Sequence, residues 1–568
     1  VSEAAKQRFF KLVDLVHQGD LSKADKALTE ALRLTPKDPN ILHLAAQVAT
    51  SLGEQDRALS LYRRTLAAYP DWLEACLNLA RLHAAMGDTT SAFALLEQTA
   101  DKHQGRYEVF ETMARLSQNA KRPDRAVLAW RHMLALQPGH KSGRGQYLFA
   151  CRQIADWSEE PIPPTPLPPQ TALLFFDDPA AQKAAAEAFI QRNLSGITPL
   201  PPAVPYGHQR LRIGYLSSDF HAHATSWLIA GLIGLHDRAQ FEVYLYSYGV
   251  EDHSAIRGRL RGDADHFIEL NALTAQQCAA QIRADGIDIL IDLKGHTQGG
   301  RLDILAYRAA PIQLHWLGFP ATTGAPFIDG FIADAITVPD GEESFFTEKV
   351  YRLPRCYQIN DDLKPIGPQR PNADYGLPEE ALILGSFNQT YKITPPVFDV
   401  WCDLLRELPE AVLWLFESNP HAPANLRREA EKRGIDPARL FFAPPAPVTE
   451  HLGRYATIDL CLDTFPVGGH TTTSDALWCG VPVVTLRGHS FISRVAASLL
   501  HAVGLPELVT TSLEDYKALA LSLAKDKPRR EAIRAHLTTN KTSLPLFDTA
   551  GFVKDFEALL SEMAIKRS

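Results

Sequence analysis

Four alanines impose the first constraint on this chain. Ala24, Ala58, Ala92 and Ala126 recur at steps of 34 residues. Ala46, Ala80 and Ala114 form a second set with the same step, and Gly19, Gly53 and Gly87 a third. Pro36 and Pro70 share the step, and Pro138 falls two steps beyond Pro70. A simple helical bundle gives no reason for three residue types to lock to one period, whereas stacked helix–turn–helix units do. Small alanines sit where paired helices approach most closely. Glycine ends the first helix of each pair, and proline marks the end of the second. Between them, ALSLYRRTLAAYP and AVLAWRHMLALQP carry apolar residues at helical spacing.

This period is that of the tetratricopeptide repeat, so residues 1–155 are expected to form an all-α superhelix whose concave face binds peptides or partner proteins. From Asp156 the pattern stops. SEEPIPPTPLPPQ holds six prolines in 13 residues and reads as a stiff linker. A helix over AAQKAAAEAFIQRNL and a second proline cluster (Pro199, Pro201, Pro202, Pro205) complete a connecting region over 156–205.

After Tyr206 short apolar runs alternate with helical stretches. LRIGYLSSDF, FEVYLYSY, GIDILIDL, IQLHWLG and DGFIAD read as strands of one lobe, over 206–370. ALILGSFN, AVLWLFES, RLFFAPP, DLCLDTF and VPVVTL read as strands of a second, over 371–568 with a terminal helix. Strands this apolar, separated by helices, belong to parallel sheets covered on both faces. The expected fold class is therefore α/β, with two Rossmann-like lobes preceded by the repeat superhelix. Ligands of such sheets bind beyond the carboxyl ends of the strands.

Composition removes some function classes. The formal net charge of −8 argues against a nucleic-acid surface, which needs a basic footprint. Seven scattered cysteines without a CxxC pair read as reduced thiols of a cytoplasmic protein rather than a disulfide frame or zinc site. The opening stretch VSEAAKQRFFKLVDLVHQGD is too charged for a signal peptide. Apolar runs of membrane-spanning length are absent from the sequence, so no membrane partner is expected.

The unusual residues follow the strands. In DTFPVGGHTTTSDAL, Gly468 and Gly469 let backbone approach a ligand, and His470, Thr471 and Thr472 lead into a helix. A helix N-terminus offers unpaired N–H groups suited to a diphosphate, and Asp475, one turn in, suits a ribose hydroxyl pair. The bland alternative is a helix merely capped by Thr or Ser. Lys392, in FNQTYKI beside Gln389 and Tyr391, is the candidate cation for the leaving diphosphate. His223, in SSDFHAHATS, faces it from the first lobe. It can orient an acceptor hydroxyl or take its proton, or merely satisfy local hydrogen bonds. His221 and His236 do not complete a metal cluster with it, and the next helix is expected to carry His236. The Asp263-Ala264-Asp265 triplet resembles an Asp-x-Asp metal clamp but lies in the charged stretch RLRGDADHF, and reads as solvated surface.

SSDF…H, PIQLHWLGFP, FNQTYKI and CLDTFPVGGHTT, in this order behind helical repeats, resemble the O-GlcNAc transferase family over nearly the whole chain. The resemblance implies the two-lobed GT-B type and inverting transfer of N-acetylglucosamine from UDP-GlcNAc to protein Ser or Thr hydroxyls, without a metal or other cofactor. It places His223 at the family's proposed base, a role a donor phosphate oxygen can also fill, and Lys392 at the diphosphate-binding lysine. Gln389, Ala446, His451, Arg454, His470, Thr471, Thr472 and Asp475 fall on UDP-contacting positions. Leu317, Gly318, Pro320, Tyr391 and His470 fall near the sugar. Val448 replaces a lysine of animal members, and their long insert is absent. Leu44, Asn78 and Thr112 occupy one phase of their asparagine ladder. The short array and missing insert resemble bacterial members. The alternatives are a related transferase using another UDP-hexose or an Asn acceptor, and a repeat adaptor with a vestigial UDP site.

Overall fold

The structure, a computed structural model, describes residues 3–17, 20–159, 167–201, 206–539 and 541–565. Gly19, Pro202 and Pro205 lie outside the described residues, as does most of the first proline-rich run. The chain divides after Cys151 into two compact units.

In the first unit helices pair in antiparallel fashion, for example Pro39–Ser51 with Gln55–Ala68 and Leu73–Ala85 with Thr89–Lys102. All seven periodic alanines are fully buried, as close helix approach requires. Gly53 and Gly87 take φ of +78° and +83° with open space around a notional Cβ, so conformation and not crowding selects glycine there. One period on, Lys121 adopts the same left-handed geometry at φ 55° without being glycine. The ladder positions are occupied internally. Leu44 and Thr112 are buried, and Arg81 donates to Asn78 Oδ1 at 2.8 Å and to Thr112 Oγ1 at 3.0 Å.

The second unit holds two parallel sheets. The first comprises β1 (Leu211–Ser217), β2 (Phe241–Ser247), β3 (His266–Glu269), β4 (Ile289–Asp292), β5 (Ile312–His315), β6 (Gly330–Asp334) and β7 (Lys349–Leu353), in the order β3-β2-β1-β4-β5-β6-β7. The second comprises β8 (Leu382–Ser386), β9 (Ala411–Phe416), β10 (Leu440–Ala443), β11 (Leu460–Leu462), β12 (Val483–Leu486) and β13 (Val509–Thr510), ordered β10-β9-β8-β11-β12-β13. Each sheet reverses its winding direction once, between β1 and β4 and between β8 and β11. Those reversals are where doubly wound sheets open a ligand crevice.

The central strands match the apolar runs of the sequence. The additional strands β3, β7 and β13 are edges. Edge strands are short and half-exposed, so they lack a continuous apolar run. β3 begins inside the stretch read as charged connection. There Asp265 accepts from Val243 N at 2.8 Å and pairs with Arg238 at 3.0 Å, and Asp263 ends a helix beside Arg259.

The two lobes are tied in several places. In the helix Phe491–Ala502, Arg494 forks onto Glu342 (2.5 and 3.0 Å) and Ser498 donates to Asp334 at 2.6 Å. Phe491 packs edge-on against Phe331 and Tyr357. The terminal helix Thr549–Ile565 returns to the first lobe, where Phe552 stacks on Trp316, Phe556 packs against it at a tilt and Glu557 meets His236. The described part of the connecting region is built into this body. Lys183 donates to Ser344 O at 2.8 Å, and Asp177 accepts from the backbone of His489 and Ser490 and the hydroxyls of Ser490 and Ser493.

Candidate active site

In the second lobe a glycine loop leads into a helix N-terminus after β11. After β11, Asp463 turns back into the chain. Its Oδ1 accepts from Thr464 N (2.9 Å) and Gly469 N (2.6 Å), and its Oδ2 from Thr485 Oγ1 (2.7 Å). This carboxylate, whose pKa burial raises, fixes the Gly468–His470 loop. Glycine at 469 is a steric requirement, since a Cβ there would lie 2.4 Å from Thr473 Oγ1 and 2.7 Å from Thr472 Oγ1. The helix Thr471–Trp478 follows, and its N-cap His470 makes no side-chain capping bond. Thr472 Oγ1 donates to Asn388 Oδ1 at 2.9 Å, and Ser474 Oγ to Thr471 O at 3.0 Å. Neither hydroxyl caps the helix. The first-turn N–H groups keep their capacity for a ligand.

Lys392 leans over this loop from the 3₁₀ turn Thr390–Lys392 after β8. Its Nζ donates to Gly468 O at 2.9 Å and Asn388 Oδ1 at 3.2 Å. Burial lowers its pKa to about 8, against the opposing charge of Asp463. His470 is driven to about 3 by burial and by Lys392, so it is a neutral imidazole, with Nε2 3.4 Å from Ile492 O on the inter-lobe helix. Gln389 is exposed and Tyr391 half-buried on the same turn.

Of the other residues expected to contact the nucleotide, Ala446, His451 and Arg454 lie on and beside the loop after β10. Arg454 is buried and donates to Pro444 O at 2.6 Å, so it holds the loop that carries Ala446. His451 packs against Phe387 and Tyr455, and burial lowers its pKa. Asp475 departs from the simple expectation. It forms a buried ion pair with Lys364, from the segment joining the lobes. A carboxylate within the first turns of a buried helix needs a partner cation, and the link between lobes provides it.

The first lobe carries its own group of polar residues beyond its strands. His223 follows β1 and is the N-cap of the helix Ala224–Leu235, with Nδ1 accepting from Thr225 N at 3.2 Å. Its side chain remains 41% exposed. Burial lowers its pKa; Asp219 opposes that shift, while Lys294 and His221 add to it. Lys294, after β4, is buried and donates to both oxygens of Asp219, at 2.9 and 2.8 Å. Asp292 accepts from Lys294 N, Gly295 N and His315 Nδ1 (2.8 Å), and His315 Nε2 meets Phe319 O at 2.9 Å. Burial opposes a charge on His315, but Asp292 outweighs it and the pKa is raised. The turn after β5 is thereby clamped. Leu317 sits at φ 70°, Pro320 is buried, and a Cβ on Gly318 would come within 1.9 Å of Leu293 O. His236 lies just past the helix, not in it, bound to Tyr215 and Glu557 away from this set.

The sequence reading did not assign Asp463, Asn388, Lys364, Asp219, Lys294, Asp292 or His315. Three of these, Asp463, Asp292 and His315, directly follow or end a central strand, and Asn388, Asp219 and Lys294 lie two residues beyond one; that position was the available signal. Among the described residues no group of three or more His, Cys, Asp or Glu is arranged to hold a metal ion. Nor is any helix long and apolar enough to cross a membrane.

Two doubly wound parallel sheets, preceded in the chain by helical repeats, define the GT-B fold joined to tetratricopeptide repeats. The chain belongs to Glycosyl transferase family 41, whose profile matches residues 200–366 and 369–556, and a tetratricopeptide profile matches residues 49–116. It is 37% identical over 390 residues to the probable UDP-N-acetylglucosamine–peptide N-acetylglucosaminyltransferase SEC of Arabidopsis thaliana, covering 66% of this chain and 40% of that one. The UDP-N-acetylglucosamine–peptide N-acetylglucosaminyltransferase of Caenorhabditis elegans is 32% identical over 501 residues, covering 67% and 44%. The chain thus spans less than half the length of these curated relatives. A mutant O-GlcNAc transferase of Thermobaculum terrenum superposes with a TM-score of 0.66 and 29% identity, over 100% of this chain and 99% of that one.

Proposed function

We propose that this chain transfers N-acetylglucosamine from UDP-GlcNAc to Ser or Thr hydroxyls of proteins or peptides, with inversion and without a metal. One observation carries the reading: the uncapped N-terminus of Thr471–Trp478, its loop held open by Asp463 and overhung by Lys392. Such a cradle suits a diphosphate whose negative charge grows as the glycosidic bond breaks. The acceptor oxygen attacks the anomeric carbon as UDP departs toward Lys392 and the helix N–H groups. Gln389, Ala446, His451 and Arg454 border the nucleotide, and Leu317, Gly318, Pro320 and Tyr391 the sugar. Asp475 keeps the ribose role through the oxygen that Lys364 does not hold. The repeats bind the acceptor protein or peptide.

His223 faces the acceptor. Its Nδ1 accepts the Thr225 N–H, so the neutral ring carries its proton on Nε2 and donates a hydrogen bond there. Taking the acceptor proton at Nε2 requires Nδ1 to turn to Asp219, 3.5 Å away; otherwise a phosphate oxygen of the donor receives it. Calorimetry with UDP in chelator tests the donor site, with micromolar or tighter binding expected. A panel of UDP-sugars incubated with cell lysate and read by mass spectrometry tests the rest. N-acetylhexosamine on Ser or Thr supports the proposal. Hexose on Asn, or no binding of UDP at all, overturns it.

A further inference from the structure

Asp219 stands between two nitrogen bases. Lys294 Nζ holds both its oxygens at 2.8 and 2.9 Å, while His223 Nδ1 is 3.5 Å from Oδ2 and is engaged instead by Thr225 N at 3.2 Å. Lys294 is 5% exposed and Asp219 6%. A buried pair of this kind contributes little net stability by itself, so its placement beside the exposed face of His223 calls for a reason. We propose that Lys294 is a positioning residue: by claiming the Asp219 carboxylate it leaves His223 Nδ1 to the backbone and fixes the ring proton on Nε2.

The chemistry follows from which groups can donate. Thr225 N–H is only a donor, so the nitrogen that faces it must be bare. An ionised Asp219 is only an acceptor, so turning Nδ1 toward it requires a proton on Nδ1. The two arrangements are exclusive for a neutral ring, and they present opposite faces to the acceptor substrate. One is an Nε2–H donor, the other an Nε2 lone pair. Lys294 selects the first. The remaining charged neighbours do not compete for Nδ1. His221 lies 5.6 Å away ring to ring, and Asp252 is occupied by Ala222 N and Ser254. Lys294 itself is anchored, because its backbone N–H donates to Asp292.

This inference rests on His223 facing the acceptor, but its test does not need turnover. In the full chain with ¹⁵N-labelled histidine, and with His223→Gln to assign the signal, Nε2 is expected to be the protonated nitrogen at pH 7.5. In Lys294→Met the freed carboxylate should draw a proton onto Nδ1 and raise the His223 titration midpoint by about one pH unit. In Asp219→Asn the uncompensated Lys294 should lower that midpoint and leave Nε2 protonated. Opposite shifts in the two variants are a signature that generalised damage does not produce. UDP binding, followed in parallel by calorimetry, should survive in both variants, and its loss in the unmodified chain would sink the proposed function rather than this inference. A resting His223 protonated on Nδ1, or midpoints that move together or not at all, overturns the role of Lys294, and the unmodified chain decides the first point even if a variant fails to fold.

Discussion

Lys392 shows how one residue can be tuned by its surroundings. It is partly buried among Gly468 O, Asn388 and Asp463, and its pKa falls to about 8, close enough to neutrality for ligand binding to change its protonation. An arriving diphosphate favours the charged form. UDP binding should therefore take up part of a proton near pH 8 and weaken as pH rises beyond it. Calorimetry in buffers of different ionisation heat measures that uptake directly. Replacing the side chain removes the positioned cation without removing the fold. Lys392→Ala should lower kcat/KM for transfer by on the order of 10²–10³-fold while the melting temperature stays unchanged or rises, since a partly buried ammonium has been deleted. Comparing single-turnover rates with melting curves separates the two effects.

At the scale of elements, the loops after β5 and β11 are shaped by glycines whose missing side chains are filled by neighbours. A methyl at 469 would overlap Thr472 and Thr473, and one at 318 would overlap Leu293 O. Gly469→Ala should push the cradle loop off Asp463 and weaken UDP binding by at least about tenfold, equivalent to ~1.4 kcal/mol. Gly318→Ala alters only the first-lobe turn, so it should leave UDP affinity intact and depress transfer. Titrating UDP against each variant distinguishes these outcomes. The central strands and both loops were legible because buried parallel strands are apolar runs that end abruptly in polar, glycine-containing turns. The edge strands β3, β7 and β13 were not, because half-exposed strands share their composition with loops.

At the scale of the molecule, the terminal helix and the helix Phe491–Ala502 make one body of the two lobes. Phe556 is fully buried against Trp316. Phe556→Ala should cost ~3–5 kcal/mol and split the unfolding of the lobes, visible as a broadened or two-step calorimetric transition. Acid acts on the same body. Burial pushes the pKa of His470 down to about 3 and that of His296 down to about 4, from 6.5 for a free histidine. Below pH 6.5 the unfolded chain therefore binds more protons, and stability falls as pH drops through that window. His315 works in the opposite sense. Its raised pKa gives stability that is present at low pH and is lost as pH climbs through the folded value. Denaturant midpoints measured from pH 4 to 9 should accordingly fall steeply on the acid side.

The sequence by itself determined the repeat array, the pair of doubly wound sheets and the polar, glycine-containing loops after their strands. Each of these follows from a local pattern: a 34-residue period, an apolar run, a glycine pair before a helix. Tertiary structure decided which charges meet. Lys364 with Asp475, Lys294 with Asp219 and His315 with Asp292 are joined across 111, 75 and 23 residues. No local pattern encodes those meetings, because the pairing of buried charges depends on where the folded chain excludes water and not on neighbours in sequence.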